Sequence, residues 1–323
     1  MSKKHTIIVT DGYALSREDL SWQGFESFGK VTVYDFTTLD ELLLRVREAE
    51  ILIVNKTPIS AETIAAMPHL KYIGVTATGY NNVDAKAAAA RNVPVCNVAG
   101  YGSQTVAQHV FALILELTNQ VGVHSSAVQA GEWGQQPHFC ITKTPLTELS
   151  DKTLGIYGFS GIGQEVAKIG RAFGMKIIVH RRNTEGSKPR DIRYVSLDDL
   201  LAQSDVLTLN ASLSAENQGI INLSNLKKMK PTALLINTAR GGFIIENDLK
   251  EALEKGIIAG AGLDVLTTEP PTEESVLMGV KNCLVTPHNA WAAIEARQRL
   301  MHMAEDNVRA FLKGKPKNVV NMM

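Results

Sequence analysis

Two periods of apolar spacing alternate along the first hundred residues. Short runs rich in β-branched side chains occur at Ile7–Thr10, Val31–Tyr34, Ile51–Val54, Tyr72–Val75 and Val93–Val98. Between them the spacing lengthens to three and four residues, which predicts helices over Ser16–Phe28, Leu39–Ala49, Ala61–Met67 and Asp84–Arg91. Leu39, Leu42, Leu43 and Val46 fall on one helix face, and Ser60 and Asp84 stand where N-caps belong. Apolar strands alternating with helices read as a parallel sheet covered on both faces.

A long helical stretch follows, from about Ser103 to Ala130. Val106, Val110, Leu113, Leu117 and Val121 form one stripe, and Ala107, Phe111, Ile114 and Leu115 add a second apolar side. Such a helix is expected to be buried on two sides, between two domains, at a subunit interface, or both. The segment Glu132–Pro145 reads as irregular. A second alternating unit begins at Leu154. Its strands are expected at Leu154–Tyr157, Lys176–Val179, Val206–Leu209, Leu234–Asn237, Ala259–Leu263 and Leu284–Val285. Its helices are expected at Ile162–Phe173, Leu197–Ala202, Asn225–Met229 and Glu246–Lys255, with a closing helix over Trp291–Lys313.

Composition narrows the class. At roughly 150 residues per domain, 323 residues suggest about two domains. Hydrophobic residues at 45% and charged residues at 20% are ordinary for a globular chain. Lys+Arg and Asp+Glu are both 33, so a sequence-independent nucleic-acid binder is not expected. Cys96, Cys140 and Cys283 are far apart and in no metal-ligand spacing, which reads as reduced, mostly buried thiols and no metal site. No apolar run approaches the ~18 residues of a membrane span, and the start has no signal-peptide core. The expectation is a soluble, cytoplasmic protein without a membrane partner.

Gly158-Phe159-Ser160-Gly161-Ile162-Gly163 follows a predicted strand and opens a predicted helix. That is the setting of a dinucleotide fingerprint, in which small residues let backbone N–H groups approach a pyrophosphate at a helix N-terminus. Ser160 holds the middle glycine position, and its hydroxyl is a possible phosphate donor; the alternative is a tight turn with close helix–strand packing. Two residues after Ser160 stands Ile162, so this is no nucleophile elbow, and no P-loop occurs. At the end of the next strand, where an NAD site places an acid on the ribose, the chain reads His180-Arg181-Arg182. Two guanidiniums suit a 2′-phosphate, which favours NADP(H); NAD(H) beside a solvated basic turn is the alternative.

Three further segments lie beyond strand ends, where ligands of open α/β sheets bind. They are Asn237–Gly242, Leu263–Val265 with Glu269-Pro270, and Thr286–Trp291. Arg240, Glu269 and His288 are thereby expected to converge. Each alone has a bland reading as a surface charge or loop histidine; three in order behind a dinucleotide turn do not.

These segments carry a resemblance. With Ala77–Asp84 (Ala-Thr-Gly-Tyr-Asn-Asn-Val-Asp) and Val106-Ala107-Gln108-His109, the chain resembles the D-isomer-specific 2-hydroxyacid dehydrogenase family over essentially its full length. Leu115–Trp133 and Pro137–Leu149 look most like its glycerate dehydrogenases (hydroxypyruvate reductases). The resemblance implies two doubly wound domains: a flavodoxin-like substrate domain, residues 1–99 with 292–323, and an inserted Rossmann cofactor domain, residues 100–291. It implies interconversion of a small 2-oxo acid (hydroxypyruvate, glyoxylate) and its D-2-hydroxy acid (D-glycerate, glycolate), and a homodimer through the cofactor domain. The rivals are phosphoglycerate dehydrogenase and a dinucleotide-sensing, corepressor-like binding protein on the same fold.

The resemblance also implies roles. His288 would be the general acid, histidine being the side chain that titrates near neutrality. Glu269 would hydrogen-bond its far ring nitrogen and fix the tautomer. Arg240 would bind the substrate carboxylate and polarise the 2-oxo group. Thr78-Gly79-Tyr80 would offer backbone N–H groups, and Lys56 is a weaker carboxylate candidate. Trp291 would limit substrate size. The cofactor would meet Val106, Gly158, Ser160, Gly161, Ile162, Gly163, Arg181, Arg182, Thr238, Ala239, Arg240, Asp264, His288 and Ala290, with Asp264 on the nicotinamide carboxamide or ribose side. Ser160 and Arg181 depart from the usual glycine and acid.

Overall fold

Strands form where the β-branched runs stand. The computed structural model describes residues 5–181, 192–272 and 275–321, and the chain divides into two compact units, Met1–Gly102 with Ala292–Met323, and Ser103–Trp291. In the first unit β1 (His5–Val9), β2 (Gly29–Val33), β3 (Ile51–Val54), β4 (Tyr72–Val75) and β5 (Val95–Cys96) pair in parallel in the order β2-β1-β3-β4-β5. This is the flavodoxin-like doubly wound order. Every residue of β3 and β4 is buried, as a sheet covered on both faces requires.

Four short helices accompany these strands: α1 (Gln23–Glu26), α2 (Leu39–Val46), α3 (Ala61–Ala65) and α4 (Ala85–Ala90). Ser60 and Asp84 do cap α3 and α4, accepting from Thr63 N and Ala87 N. The apolar face of α2 is narrower than its spacing predicted. Leu42 and Val46 are buried, whereas Leu39 is 69% and Leu43 49% exposed. The helix expected over Ser16–Phe28 shrinks to α1. Glu18 takes φ +68°, and the carboxylate of Asp19 is drawn to the guanidinium of Arg297, at 2.8 and 2.5 Å. A bidentate ion pair 278 residues away in sequence overrides the local helical spacing.

The second unit opens with α5 (Ser103–Asn119) and α6 (Val121–Gln129). The single long helix of the sequence reading is therefore two, broken where Gln120 takes φ +46°. The buried stripe ends with the break: Val106, Val110 and Leu113 are buried, but Val121 is 62% exposed. The strands β6 (Thr153–Tyr157), β7 (Lys176–His180), β8 (Arg193–Tyr194), β9 (Val206–Leu209), β10 (Leu234–Asn237), β11 (Gly260–Leu263) and β12 (Cys283–Val285) form one parallel sheet, ordered β12-β11-β10-β9-β6-β7-β8. The order reverses at β6, as in a Rossmann sheet. β8 was not read from the sequence. The helices are α7 (Gly161–Ala172), α8 (Leu197–Gln203), α9 (Leu223–Leu226) and α10 (Glu246–Glu254). Period-two alternation divides the apolar side chains between two layers. Leu207, Leu235, Phe243 and Leu263 lie in one, and Val110, Ile114, Val206 and Ile236 in the other. The last helix, α11 (Ile294–Leu312), belongs to the first unit. Among the described residues no helix is long and apolar enough to cross a membrane.

Candidate active site

Asn237, Leu263 and Val285 stand in register across β10, β11 and β12. The loops that follow therefore leave the sheet at one level, at its carboxyl edge. Asn237 is fully buried and shapes the first loop with its side chain. Its Oδ1 accepts from Ala239 N at 3.0 Å and its Nδ2 donates to Arg240 O at 2.8 Å. Arg240 is exposed at the tip, its Nη1 donating to Ala239 O at 2.6 Å. Gly241 then packs on the backbone of Leu266 and Thr267, in the second loop.

Glu269 and His288 come from different loops and meet. His288 Nδ1 lies 2.5 Å from Glu269 Oε2, and Glu269 Oε1 accepts from Leu266 N at 2.9 Å. One carboxylate oxygen is thus anchored to the main chain while the other receives the imidazole N–H. That bond engages Nδ1 and leaves Nε2 as the ring nitrogen open to proton exchange.

His288 takes φ +49°. A non-glycine residue there costs about 1–3 kcal/mol and persists only when its surroundings impose the conformation. Asp264 supplies much of that constraint. It is 1% exposed, and its Oδ1 accepts from the Thr286 hydroxyl at 2.6 Å and from Asn289 N at 3.0 Å. Its Oδ2 accepts from Ala290 N at 2.9 Å. The Trp291 indole N–H donates to His288 O at 2.9 Å. One buried carboxylate thus holds the residues on both sides of the histidine.

The glycine turn lies at the end of β6. Gly158 takes φ +90°, and a β-carbon there would fall 2.7 Å from Ala211. A β-carbon on Gly163 would meet Gly158 O at 2.5 Å, so this glycine sets the helix–strand approach. The N–H groups of Gly161, Ile162 and Gly163 lie ahead of the helix's own ladder, in which Gln164 N donates to Ser160 O at 3.0 Å. Such donors, at a positive helix end, take phosphate oxygens. The residues present fit the pyrophosphate of a dinucleotide.

Comparison with known proteins agrees with this geometry. Residues 111–290 match the model of the D-isomer specific 2-hydroxyacid dehydrogenase, NAD binding domain. A hydroxypyruvate reductase of Blautia hydrogenotrophica is 44% identical over 319 residues, 98% of this chain and 99% of its own. The chain belongs to the D-isomer specific 2-hydroxyacid dehydrogenase family. A glycerate dehydrogenase of Methylorubrum extorquens is 41% identical over 285 residues, 88% of this chain and 89% of its own. Among solved structures, an NADPH-dependent glyoxylate/hydroxypyruvate reductase of Sinorhizobium meliloti, in complex with NADP and malonate, superposes with a TM-score of 0.81. It is 26% identical, with 98% of this chain and 97% of that one covered.

Ser160 has φ −77°, which needs no glycine, and its hydroxyl donates to Asn210 O at 3.2 Å rather than standing as a phosphate donor. Arg181 follows β7, and its guanidinium carbon lies 4.7 Å from the centre of the Tyr194 ring. Arg182 lies outside the described residues. Val106 is 7% exposed on α5, while Thr238 and Ala239 are half-buried. Asp264, expected on the nicotinamide carboxamide or ribose side, has a fully enclosed side chain, and both its oxygens accept from the His288 segment. Ala290 is likewise 3% exposed, its N–H spent on Asp264. Both lie against the segment that carries His288.

In the first unit, Lys56 is exposed after β3, and its backbone N–H donates to Asp11 Oδ2 at 2.5 Å. Thr78 follows β4, donating through its hydroxyl to Val98 O at 3.1 Å and accepting at its carbonyl from Asn97 Nδ2 at 2.7 Å. Gly79 and Tyr80 are half-buried beside it. Trp291 precedes α11 instead of starting it.

Sequence reasoning gave no part to Asn237, Thr286 or His109, which shape or contact these loops. All three sit inside quoted motifs, but only tertiary contact reveals their use. Cys140 is exposed, against the expectation of mostly buried thiols. Burial pushes the thiols of Cys96 and Cys283 up to about 11, so neither is a thiolate at neutral pH.

Proposed function

We propose that this protein reduces a small 2-oxo acid, hydroxypyruvate or glyoxylate, to the D-2-hydroxy acid with a nicotinamide dinucleotide. The observation that carries this reading is the 2.5 Å Glu269–His288 pair beyond strands in register with the Arg240 turn. The turn Gly158–Gly163 would hold the pyrophosphate, and the bound cofactor supplies hydride to C2. His288 delivers a proton from Nε2 to the carbonyl oxygen, with Glu269 fixing the ring from Nδ1. Arg240 binds the carboxylate through its planar fork and polarises the carbonyl as charge develops on it. In the first unit, Lys56 and the backbone of Thr78–Tyr80 remain the candidates for substrate contact.

NADP(H) is the favoured cofactor. No acid stands at the end of β7, where His180 and Arg181 are found, and the Tyr194 ring supports the guanidinium. The S. meliloti relative carries NADP. A homodimer through the cofactor unit fits the exposed apolar side chains that follow the break at Gln120: Val121, Val123, Val128, Trp133 and Phe139.

The test is a panel of 2-oxo acids with NADPH and NADH, with chiral analysis of the product. Oxidation of NADPH by hydroxypyruvate or glyoxylate, with D-glycerate formed from the former, supports the proposal. Tight dinucleotide binding with no turnover on any 2-oxo acid would favour a sensing protein instead.

A further inference from the structure

We propose that His109 is a positioning residue for the acid–base histidine, acting through Thr286 and Asp264. The inference rests on the reading of His288 given above.

His109 lies on α5, far from the catalytic loops in sequence. Its Nε2 is 3.0 Å from Thr286 Oγ1 and 3.6 Å from Asp264 Oδ1. A hydroxyl has one proton and two lone pairs. The Thr286 proton goes to Asp264 Oδ1 at 2.6 Å, its contact with Leu263 O being longer, at 3.4 Å. With that proton committed, Thr286 Oγ1 accepts from the Nε2–H of His109. The chain runs His109 to Thr286 to Asp264, and Asp264 also gathers the N–H groups of Asn289 and Ala290.

His288 sits inside this bracket, two residues after Thr286 and one before Asn289, at φ +49°. Without the His109 N–H, the Thr286 hydroxyl is free to turn to Leu263 O, and Asp264 loses a donor. The turn that holds His288 in its costly conformation then loosens. His109 is suited to anchor it. It follows Val106 and Ala107 and precedes Val110 and Phe111, all buried on α5, so the network ties the loop to a helix fixed in the core.

The experiment compares His109→Leu, His109→Gln, Thr286→Val and the double variant His109→Leu/Thr286→Val with the wild type, for kcat, KM, dinucleotide Kd and Tm. His109→Leu is expected to lower kcat roughly 10- to 100-fold, the size of loss found for hydrogen-bonded partners that orient metal-ligating histidines, with KM and Kd little changed. His109→Gln, whose amide N–H reaches the same hydroxyl, is expected to recover most of the rate. In the Thr286→Val background, His109→Leu is expected to cost nothing more. Unchanged kcat with a lowered Tm, equal losses in Leu and Gln, or an additive double variant would each overturn the proposal. His288→Ala is measured alongside. If it keeps wild-type turnover, or if the wild type reduces no 2-oxo acid, the acid–base reading falls and the role of His109 with it. If His288→Ala is inactive while His109→Leu matches the wild type, only the role of His109 falls.

Discussion

Gly241 packs so closely on Leu266 that a β-carbon at 241 would fall 1.9 Å from the Leu266 carbonyl carbon. The N–H of Leu266 in turn holds Glu269. The turn that carries Arg240 and the loop that carries Glu269 are therefore in backbone contact, and only glycine permits it.

Gly241→Ala is expected to displace Arg240 from Glu269 and His288 by a fraction of an ångström or more. Misplacement by about 1 Å costs on the order of 100-fold in rate. Steady-state kinetics on hydroxypyruvate should show kcat/KM falling by that order. Unchanged kinetics would mean that the two loops need not be held together.

Arg181→Ala bears on the cofactor. A hydrogen bond to a charged group contributes about 1.5–3 kcal/mol, or roughly 10- to 100-fold in affinity. The ratio of kcat/KM with NADPH to that with NADH is expected to fall by that factor. A ratio that stays put would leave Arg181 as no more than a partner of the Tyr194 ring.

Trp291 donates to the carbonyl of His288, so its loss should be felt in kcat. Trp291→Phe keeps the bulk and removes the N–H. It is expected to slow reduction with the substrate range unaltered, whereas Trp291→Ala should also admit longer 2-oxo acids. A substrate panel on both variants checks this; identical profiles and rates would remove Trp291 from the site.

Acid stability depends on Glu50, 8% exposed in the first unit. The Lys71 ammonium at 2.5 Å, against the opposing effect of burial and helped by Thr6 N at 3.2 Å, holds its carboxyl down at about 2. An unfolded glutamate titrates near 4.3. The folded form thus holds its proton less tightly, and the stabilisation is complete above the unfolded value. It is lost as pH falls from about 5 toward about 2. The Tm gap between wild type and Glu50→Gln should shrink over that range; a constant gap would place the stabilisation elsewhere.

Much of this was legible in the chain. The runs at Ile51–Val54 and Tyr72–Val75 are strands residue for residue, because a buried parallel strand needs nothing beyond local apolar content. The convergence of Glu269 and His288 was legible through motif order, and their pairing through the family resemblance. Glutamine is no helix breaker, so Gln120 gave no sign of its positive φ. Asp19 leaves the helical pattern for Arg297, and Asp264 turns inward to the backbone of Asn289 and Ala290. The last two outcomes are decided by partners distant in sequence, and no local spacing reports them.

The central claim is that His288, held by Glu269, delivers the proton. The most direct measurement is turnover of hydroxypyruvate with NADPH by wild type and His288→Ala, with dinucleotide binding measured on both. General acid catalysis contributes about 10²- to 10⁴-fold, so kcat is predicted to fall by that much while the dinucleotide still binds. A His288→Ala protein that turns over as fast as the wild type would contradict the account.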